Sequence, residues 1–302
     1  MHRTAQPRIL TFNFHEPYLC LLARTGLEFD VGNYAEGPLA RQWQSNFRAK
    51  PDNLCLVPEQ TWRADLDAGR YDVVLTHNEM NAMTVARAPA NKLLLCHNRR
   101  TFLNTTATID AGADPMATFA HLLDMLQELF EFVFISESKR DDYGIPGRVI
   151  RPGIDVEESG GYTGETARVL RVGNTMVDRN LMFDVPLQEA VCQGLPNEVL
   201  GFNPKLPDAR VAADYGALLN AYRTLRCMLH VSRQEFEDGY NLAMLEAMGC
   251  GMPVVALANR TSPITDGVDG FTSYDAVVLR ERLEALLENL DLARETGARG
   301  RE

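Results

Sequence analysis

Leu229–Gly251 reads LHVSRQEFEDGYNLAMLEAMGCG. Met228, Leu229, His230 and Val231 make a short apolar run of strand character, and a polar loop follows. Leu242, Leu245, Glu246 and Met248 then recur at helical spacing. This reading starts the helix at Gly239, with Asp238 as its cap. It expects a row of unpaired backbone N–H groups from Gly239 through Tyr240 and Asn241 to Leu242, at the positive end of the helix dipole. Such a row binds phosphate or carboxylate oxygens. Asp238 and Glu246 stand eight positions apart beside it. Carboxylates next to an anion site need a reason, and sugar hydroxyls supply one, because ionised Asp and Glu accept hydrogen bonds from vicinal diols. Recognition of a nucleotide sugar needs both halves.

Outside this stretch, 302 residues suit two domains with separate cores. A composition of 45% hydrophobic and 24% charged residues excludes chain-wide disorder. The net charge of −11 argues against a protein whose task is to grip nucleic acid. Six scattered cysteines read as small buried hydrophobes in a reducing compartment, and no Cys/His cluster has zinc-ligand spacing. MHRTAQPRIL lacks the apolar core of a signal peptide, and no apolar run is long enough to span a bilayer. The expectation is a cytoplasmic protein.

From the N-terminus, Arg8–Phe14 is a strand followed by His15-Glu16-Pro17, a helix from Tyr18 to Thr25 and a second strand at Phe29–Val31. This opening suits a doubly wound α/β domain, whose first loop lies at the ligand crevice. His15 and Glu16 either line that crevice or cap the helix. In Gly37–Pro51, Leu39, Trp43 and Phe47 share one face of an expected helix. That face packs on its own sheet or, with Arg41, Arg48 and Lys50, touches an anionic membrane. Packing is the favoured reading. Tyr71–Thr76 and Lys92–Cys96 are strands that each run into His-Asn, at His77 and His97. Polar groups therefore gather along one edge of the sheet, and Arg99 and Arg100 face an anionic acceptor or solvent. Pro115–Phe130 is an amphipathic helix, Glu131–Ser136 a strand and Ser138–Tyr143 a short helix. The polar, glycine-rich Glu157–Gly164 separates residues 1–156 from 165–302. Strands follow at Arg168–Val172, Glu198–Phe202 and Pro253–Leu257, with helices at Leu218–Arg226 and Arg280–Leu290.

Asp238-Gly-Tyr-Asn-Leu-Ala-Met-Leu-Glu246-Ala-Met-Gly-Cys-Gly251-Met-Pro253 resembles the acidic-x7-Glu donor motif of the retaining glycosyltransferases of family 4, the "group 1" glycosyltransferases. Other segments agree in order and spacing. Val149–Asp155 resembles the segment that closes the family's first domain, and Ser262–Phe271 its Pro-Glu-Ile region. Ser232 matches the serine before the acidic loop, and Tyr215-Gly216-Ala217 the turn that meets the nucleobase. The resemblance implies a GT-B fold: two Rossmann-like, doubly wound domains facing each other across a cleft. It implies a nucleotide-sugar donor and a glycan, lipid-linked or small-molecule acceptor, with no metal or other cofactor. The family has Gly-Arg after the first strand of the second domain and a Lys six residues after that Gly. Here Gly173 is followed by Asn174, and Arg179 takes the Lys position. One cation of the pair is replaced, with Arg171 or Arg233 as candidates to compensate.

The mechanism the resemblance implies assigns each residue a part. Glu246 binds the ribose diol, and the amides of Gly239–Leu242 with Arg179 hold the diphosphate as it leaves. Asp238 binds the transferred sugar, and His97 matches the first-domain histidine that touches it. The family's glycine-rich first loop is absent, and the chain stops at Glu302 where family members run into a helix returning to the first domain, so closure is expected to be less constrained. Two other readings stay open: a non-catalytic nucleotide-sugar binder, and a nucleotide-sugar 2-epimerase.

Overall fold

The computed structural model describes residues 6–45, 47–111 and 115–302, without the side chains of 107–121. Part of the N-terminal leader reading therefore lies outside the described residues. The chain divides into two compact units, Met1–Pro152 and Gly153–Glu302.

Unit 1 runs β1 (Ile9–Phe12), α1 (Glu16–Ala23), β2 (Phe29–Gly32), β3 (Leu54–Val57), α2 (Glu59–Asp67), β4 (Val73–Thr76), α3 (Glu79–Val85), β5 (Asn91–Cys96), α4 (Arg100–Ala111), α5 (Pro115–Leu129), β6 (Glu131–Phe134), α6 (Glu137–Tyr143) and β7 (Arg148–Val149). Its seven strands pair in the order β3-β2-β1-β4-β5-β6-β7, in parallel throughout. The central strands β1 (ILTF) and β4 (VVLT) read as near-continuous apolar runs, as parallel strands covered on both faces do. Leu10 and Phe12 enter one core with Trp62, Leu94 and Phe134, while Ile9 enters another with Leu19, Val31 and Leu54.

Unit 2 repeats the plan with β8 (Thr166–Val172), α7 (Asn180–Phe183), α8 (Val185–Cys192), β9 (Asn197–Leu200), β10 (Ala209–Arg210), α9 (Tyr215–Thr224), β11 (Leu225–His230), α10 (Leu242–Cys250), β12 (Val254–Leu257), β13 (Phe271–Ser273), α11 (Ala276–Glu288) and α12 (Leu290–Arg301). The sheet order is β10-β9-β8-β11-β12-β13, again all parallel. Alternation along β11 sends Met228 into one core and Cys227 and Leu229 into the other. In both sheets the order reverses beside the first strand, at β1/β4 and at β8/β11, which is where ligands bind in open α/β sheets.

Some expectations are corrected. Residues 37–45 and 47–51 form no helix; Trp43 donates from Nε1 to the Arg48 carbonyl (3.1 Å) and packs against the Ile9 core. Packing is thus what that tryptophan does. The 153–164 segment folds with unit 2: Thr163 and Gly164 donate to the Arg223 carbonyl, and Tyr162 Oη bonds the Arg226 carbonyl. After α11 a further helix, α12, packs on unit 2, where Arg301 donates to the Val156 (2.8 Å) and Gly249 carbonyls. Four of the six cysteines are buried, Cys55 is exposed, and none is in a disulfide. Among the described residues no helix is long and apolar enough to cross a membrane.

Candidate functional site

Helix α10 starts three residues later than its sequence suggests. Its cap is Asn241, whose Oδ1 accepts from the Met244 amide (2.9 Å), so Asp238 does not cap it. The Gly239 amide is not an open donor either, since it donates to Thr261 Oγ1 at 2.7 Å. Gly239 is a glycine for another reason: a Cβ there would meet the Ser262 amide and the Asn259 side chain at 2.7 Å. The 232–239 loop is stitched down from that side. Asn259 Nδ2 donates to the Ser232 (3.2 Å) and Glu237 (3.1 Å) carbonyls, and Ser232 Oγ donates to the Asp238 carbonyl. Asp238 itself is 1% exposed. The helix-start donors without an intrahelical acceptor are therefore the amides of Leu242 and Ala243, the first two residues of α10. Tyr240 packs against the Met244 core. One turn further, Glu246 is half-buried, and Tyr215 Oη at the start of α9 donates to its Oε1 at 3.2 Å.

After β8, the Gly173–Met176 loop is tied to the loop after β9. Asn203 Nδ2 donates to the Gly173 carbonyl (2.6 Å), and Asn203 Oδ1 accepts from the Met176 amide (2.8 Å). Thr175 is held in the left-handed region (φ 49°), a strained conformation for a β-branched residue. Asn174 Oδ1 accepts from the Phe202 amide at 2.8 Å. Its side chain thus fixes a turn, a role for which the family's arginine would be the wrong shape. Arg179 lies along the Phe183 ring (5.2 Å) and donates from Nη2 to Met182 Sδ (3.1 Å). No carboxylate lies within ion-pair distance of it among the described residues. Burial lowers its pKa, and Glu237, further off, works the other way. Arg171 does not supply the missing cation, because it is buried and spent on Glu189 (2.7 Å) and Asn197 (2.7 Å). Arg233 faces Glu235 at 3.8 Å.

Since every strand is parallel, the loops carrying Gly173, Asn174, Arg179, Ser232, Asp238 and Asn241 all leave the carboxyl edge of the second sheet. The arrangement can offer two helix amides and a cation to a phosphate, and an oriented carboxylate to a diol.

In unit 1, β1, β4 and β5 are neighbours, so the residues at their carboxyl ends meet. His15 caps α1, accepting on Nδ1 from the Tyr18 amide (3.2 Å), and also stacks on His97 at 5.5 Å between centroids. Capping and edge position are therefore not alternatives. Glu16 accepts from the Gln44 amide (3.1 Å), and burial raises its pKa. His97 Nε2 and His77 Nδ1 are 2.9 Å apart, and His77 Nε2 is 2.9 Å from Thr11 Oγ1. Burial, then the neighbouring His15 charge, pushes His77 down to about 3. Burial, with His77, His15 and Lys139, holds His97 well below the usual histidine value. Asn13, at the end of β1, is 5% exposed and its Oδ1 has no partner among the described residues. Arg100 donates to the Tyr143 carbonyl (3.1 Å) and is structural. Sequence reasoning assigned no part to Thr11, Asn13 or Tyr215 Oη. For His77 the signal was present, in two strands that each end in His-Asn. Among the described residues no cluster of three or more His, Cys, Asp or Glu could hold a metal ion.

Residues 201–289 match the family described as "Glycosyl transferases group 1". The fold is shared with GT-B glycosyltransferases of known structure. HepE from Anabaena, in complex with UDP and glucose, is 13% identical, with a TM-score of 0.70 over 98% of this chain and 94% of that one. WaaG, a glycosyltransferase involved in lipopolysaccharide biosynthesis, is 13% identical, with a TM-score of 0.65 over 97% and 94%. TarM is 16% identical, with a TM-score of 0.58 over 76% of this chain, which spans half of TarM's length. No curated protein sequence matches the chain.

Proposed function

We propose that this protein is a glycosyltransferase that moves a sugar from a nucleotide-diphosphate sugar to an acceptor with retention of configuration. The observation that carries the reading is the carboxyl edge of unit 2. A half-buried cation without an ion-pair partner among the described residues, Arg179, shares that edge with the free amides of α10 and with Glu246, aimed by Tyr215. Glu246 and α10 fall inside the segment that matches the glycosyltransferase family.

In this mechanism Glu246 accepts hydrogen bonds from the ribose diol. The Leu242 and Ala243 amides take over the part expected of Gly239–Leu242 and, with Arg179, hold the diphosphate. Negative charge grows on the diphosphate as the sugar–phosphate bond breaks, so donors fixed there stabilise the transition state more than the ground state. In unit 2, Asp238 is assigned to oxygens of the sugar; in unit 1, His97 is assigned to a ligand oxygen. The cation and the amides do the neutralising, and activity is expected to persist in EDTA. The acceptor is a glycan, a lipid-linked sugar or a small molecule.

Asn174 favours one second reading. Because its side chain carbonyl is engaged by Phe202, it offers less to a leaving group than the family's arginine, which suits a binder that does not turn over. A thermal-shift screen of UDP, GDP, ADP and dTDP with their sugars, followed by product analysis, tests both. A ligand at 100 times its Kd adds about 2.7 kcal/mol of stability. Transfer to an added acceptor supports the proposal; binding without turnover supports the binder; epimer formation from donor alone supports an epimerase. No shift with any nucleotide sinks all three.

A further inference from the structure

Thr11, His77 and His97 form one hydrogen-bonded chain at the carboxyl edge of unit 1, with 2.9 Å at each link. Such a chain has two possible polarities, because a neutral imidazole donates from one nitrogen and accepts at the other. The two are told apart by asking where each proton goes. If His77 donated from Nε2 to Thr11 Oγ1, the threonine's own O–H would need an acceptor. Thr11 is 0% exposed, and His77 is its only side-chain partner among the described residues. That polarity strands a buried O–H. The opposite polarity leaves only a hydroxyl lone pair unused, which folded proteins tolerate more readily than an orphaned donor.

We infer that Thr11 donates to His77 Nε2, that His77 donates from Nδ1 to His97 Nε2, and that His97 therefore carries its own proton on Nδ1. Thr11 and His77 are positioning residues acting through His97. The rings around them hold the geometry: His15 stacks on His97, and the Tyr18 ring meets it edge-on at 4.8 Å. The chain stays neutral because burial penalises a charge on either ring, and at His97 the neighbouring His77, His15 and Lys139 add to that penalty, so neither ring gains from a second proton.

The consequence is chemical. A neutral His97 with its proton on Nδ1 and Nε2 occupied is a hydrogen-bond donor at Nδ1, and cannot take a proton at that atom. The part this donor plays in transfer rests on the function proposed above. The polarity itself rests on unit 1 alone.

The test is 15N NMR of the full chain labelled in histidine, with His97→Gln used to assign the His97 signals. The expected spectrum at pH 7.5 shows a protonated nitrogen at His97 Nδ1 and a bare one at Nε2. Thr11→Ser, which keeps the hydroxyl, leaves it unchanged. His77→Leu removes the donor to Nε2, and the Nε2–H form of His97 appears. A wild-type His97 protonated on Nε2, or on both nitrogens, overturns the inference, and that spectrum decides even where His77→Leu does not fold. A His77→Leu protein that folds and keeps His97 wholly in the Nδ1–H form overturns the positioning role. Loss of nucleotide binding would count against the proposed function and would leave these spectra as they are.

Discussion

Acidification should weaken unit 1, and His77 sets the size of the effect there. Its pKa falls from 6.5 to about 3 on folding, because burial penalises the charged ring and His15 adds to the penalty. The folded state thus binds fewer protons than the unfolded one. Its contribution to stability is complete above pH 6.5 and is lost as pH falls towards 3. Between pH 7.5 and 5.0 the loss from His77 alone is about 2 kcal/mol. His97 shifts in the same direction and adds to it. Glu16 and Glu79, raised by burial, regain stability on acidification and oppose it. Both tryptophans, Trp43 and Trp62, belong to unit 1, and Trp62 is fully buried, so tryptophan fluorescence reports that unit's urea unfolding. With a slope of about 2 kcal/mol per molar, the midpoint should drop by about 1 M over this range. Comparison with His77→Asn cancels the carboxylates, and the variant should lose about 2 kcal/mol of the acid sensitivity. Equal sensitivity in wild type and variant would refute the argument.

Three further outcomes follow from unit 2. Glu246→Ala removes a charged acceptor for the ribose diol and should weaken nucleotide binding by 1.5–3 kcal/mol, roughly 10- to 150-fold in Kd by calorimetry. The 2′,3′-dideoxynucleotide, which lacks the diol, should be far less affected. Arg179→Met should weaken UDP while sparing uridine, measured as the ratio of the two Kd values; an equal loss of both would count against a diphosphate contact. Asn241→Ala removes the cap of α10 and should cost about 1 kcal/mol of stability, read as a shift in the unit 2 transition.

What the sequence revealed and what it hid follow from the range of each interaction. The strands were legible because a parallel strand covered on both faces is a short run of apolar residues, as at Val73–Thr76 and Val254–Leu257. The start of α10 was not. Asp238-Gly239 and Asn241 are both acceptable starts by local chemistry, and what decides between them is Thr261, far along the chain, taking the Gly239 amide. Asn174 shows the same limit. Its replacement of a cation was visible, but its bond to Phe202 is not written in its neighbours. In 37–51 the apolar spacing suggested a helix, whereas the Trp43 indole is satisfied by the Arg48 carbonyl in an irregular loop. The His-Asn endings of two strands showed that polar groups would meet. The order of those groups and the link to Thr11 needed the sheet topology.

The central claim is that the edge of unit 2 seats a sugar-linked diphosphate, and a crystal structure with a bound nucleotide sugar tests it most directly. The account predicts phosphate oxygens on the Leu242 and Ala243 amides and on Arg179, with the ribose on Glu246. Nucleotide density at any other place, with Arg179 still on Met182 and Phe183 and Glu246 still on Tyr215, would contradict it.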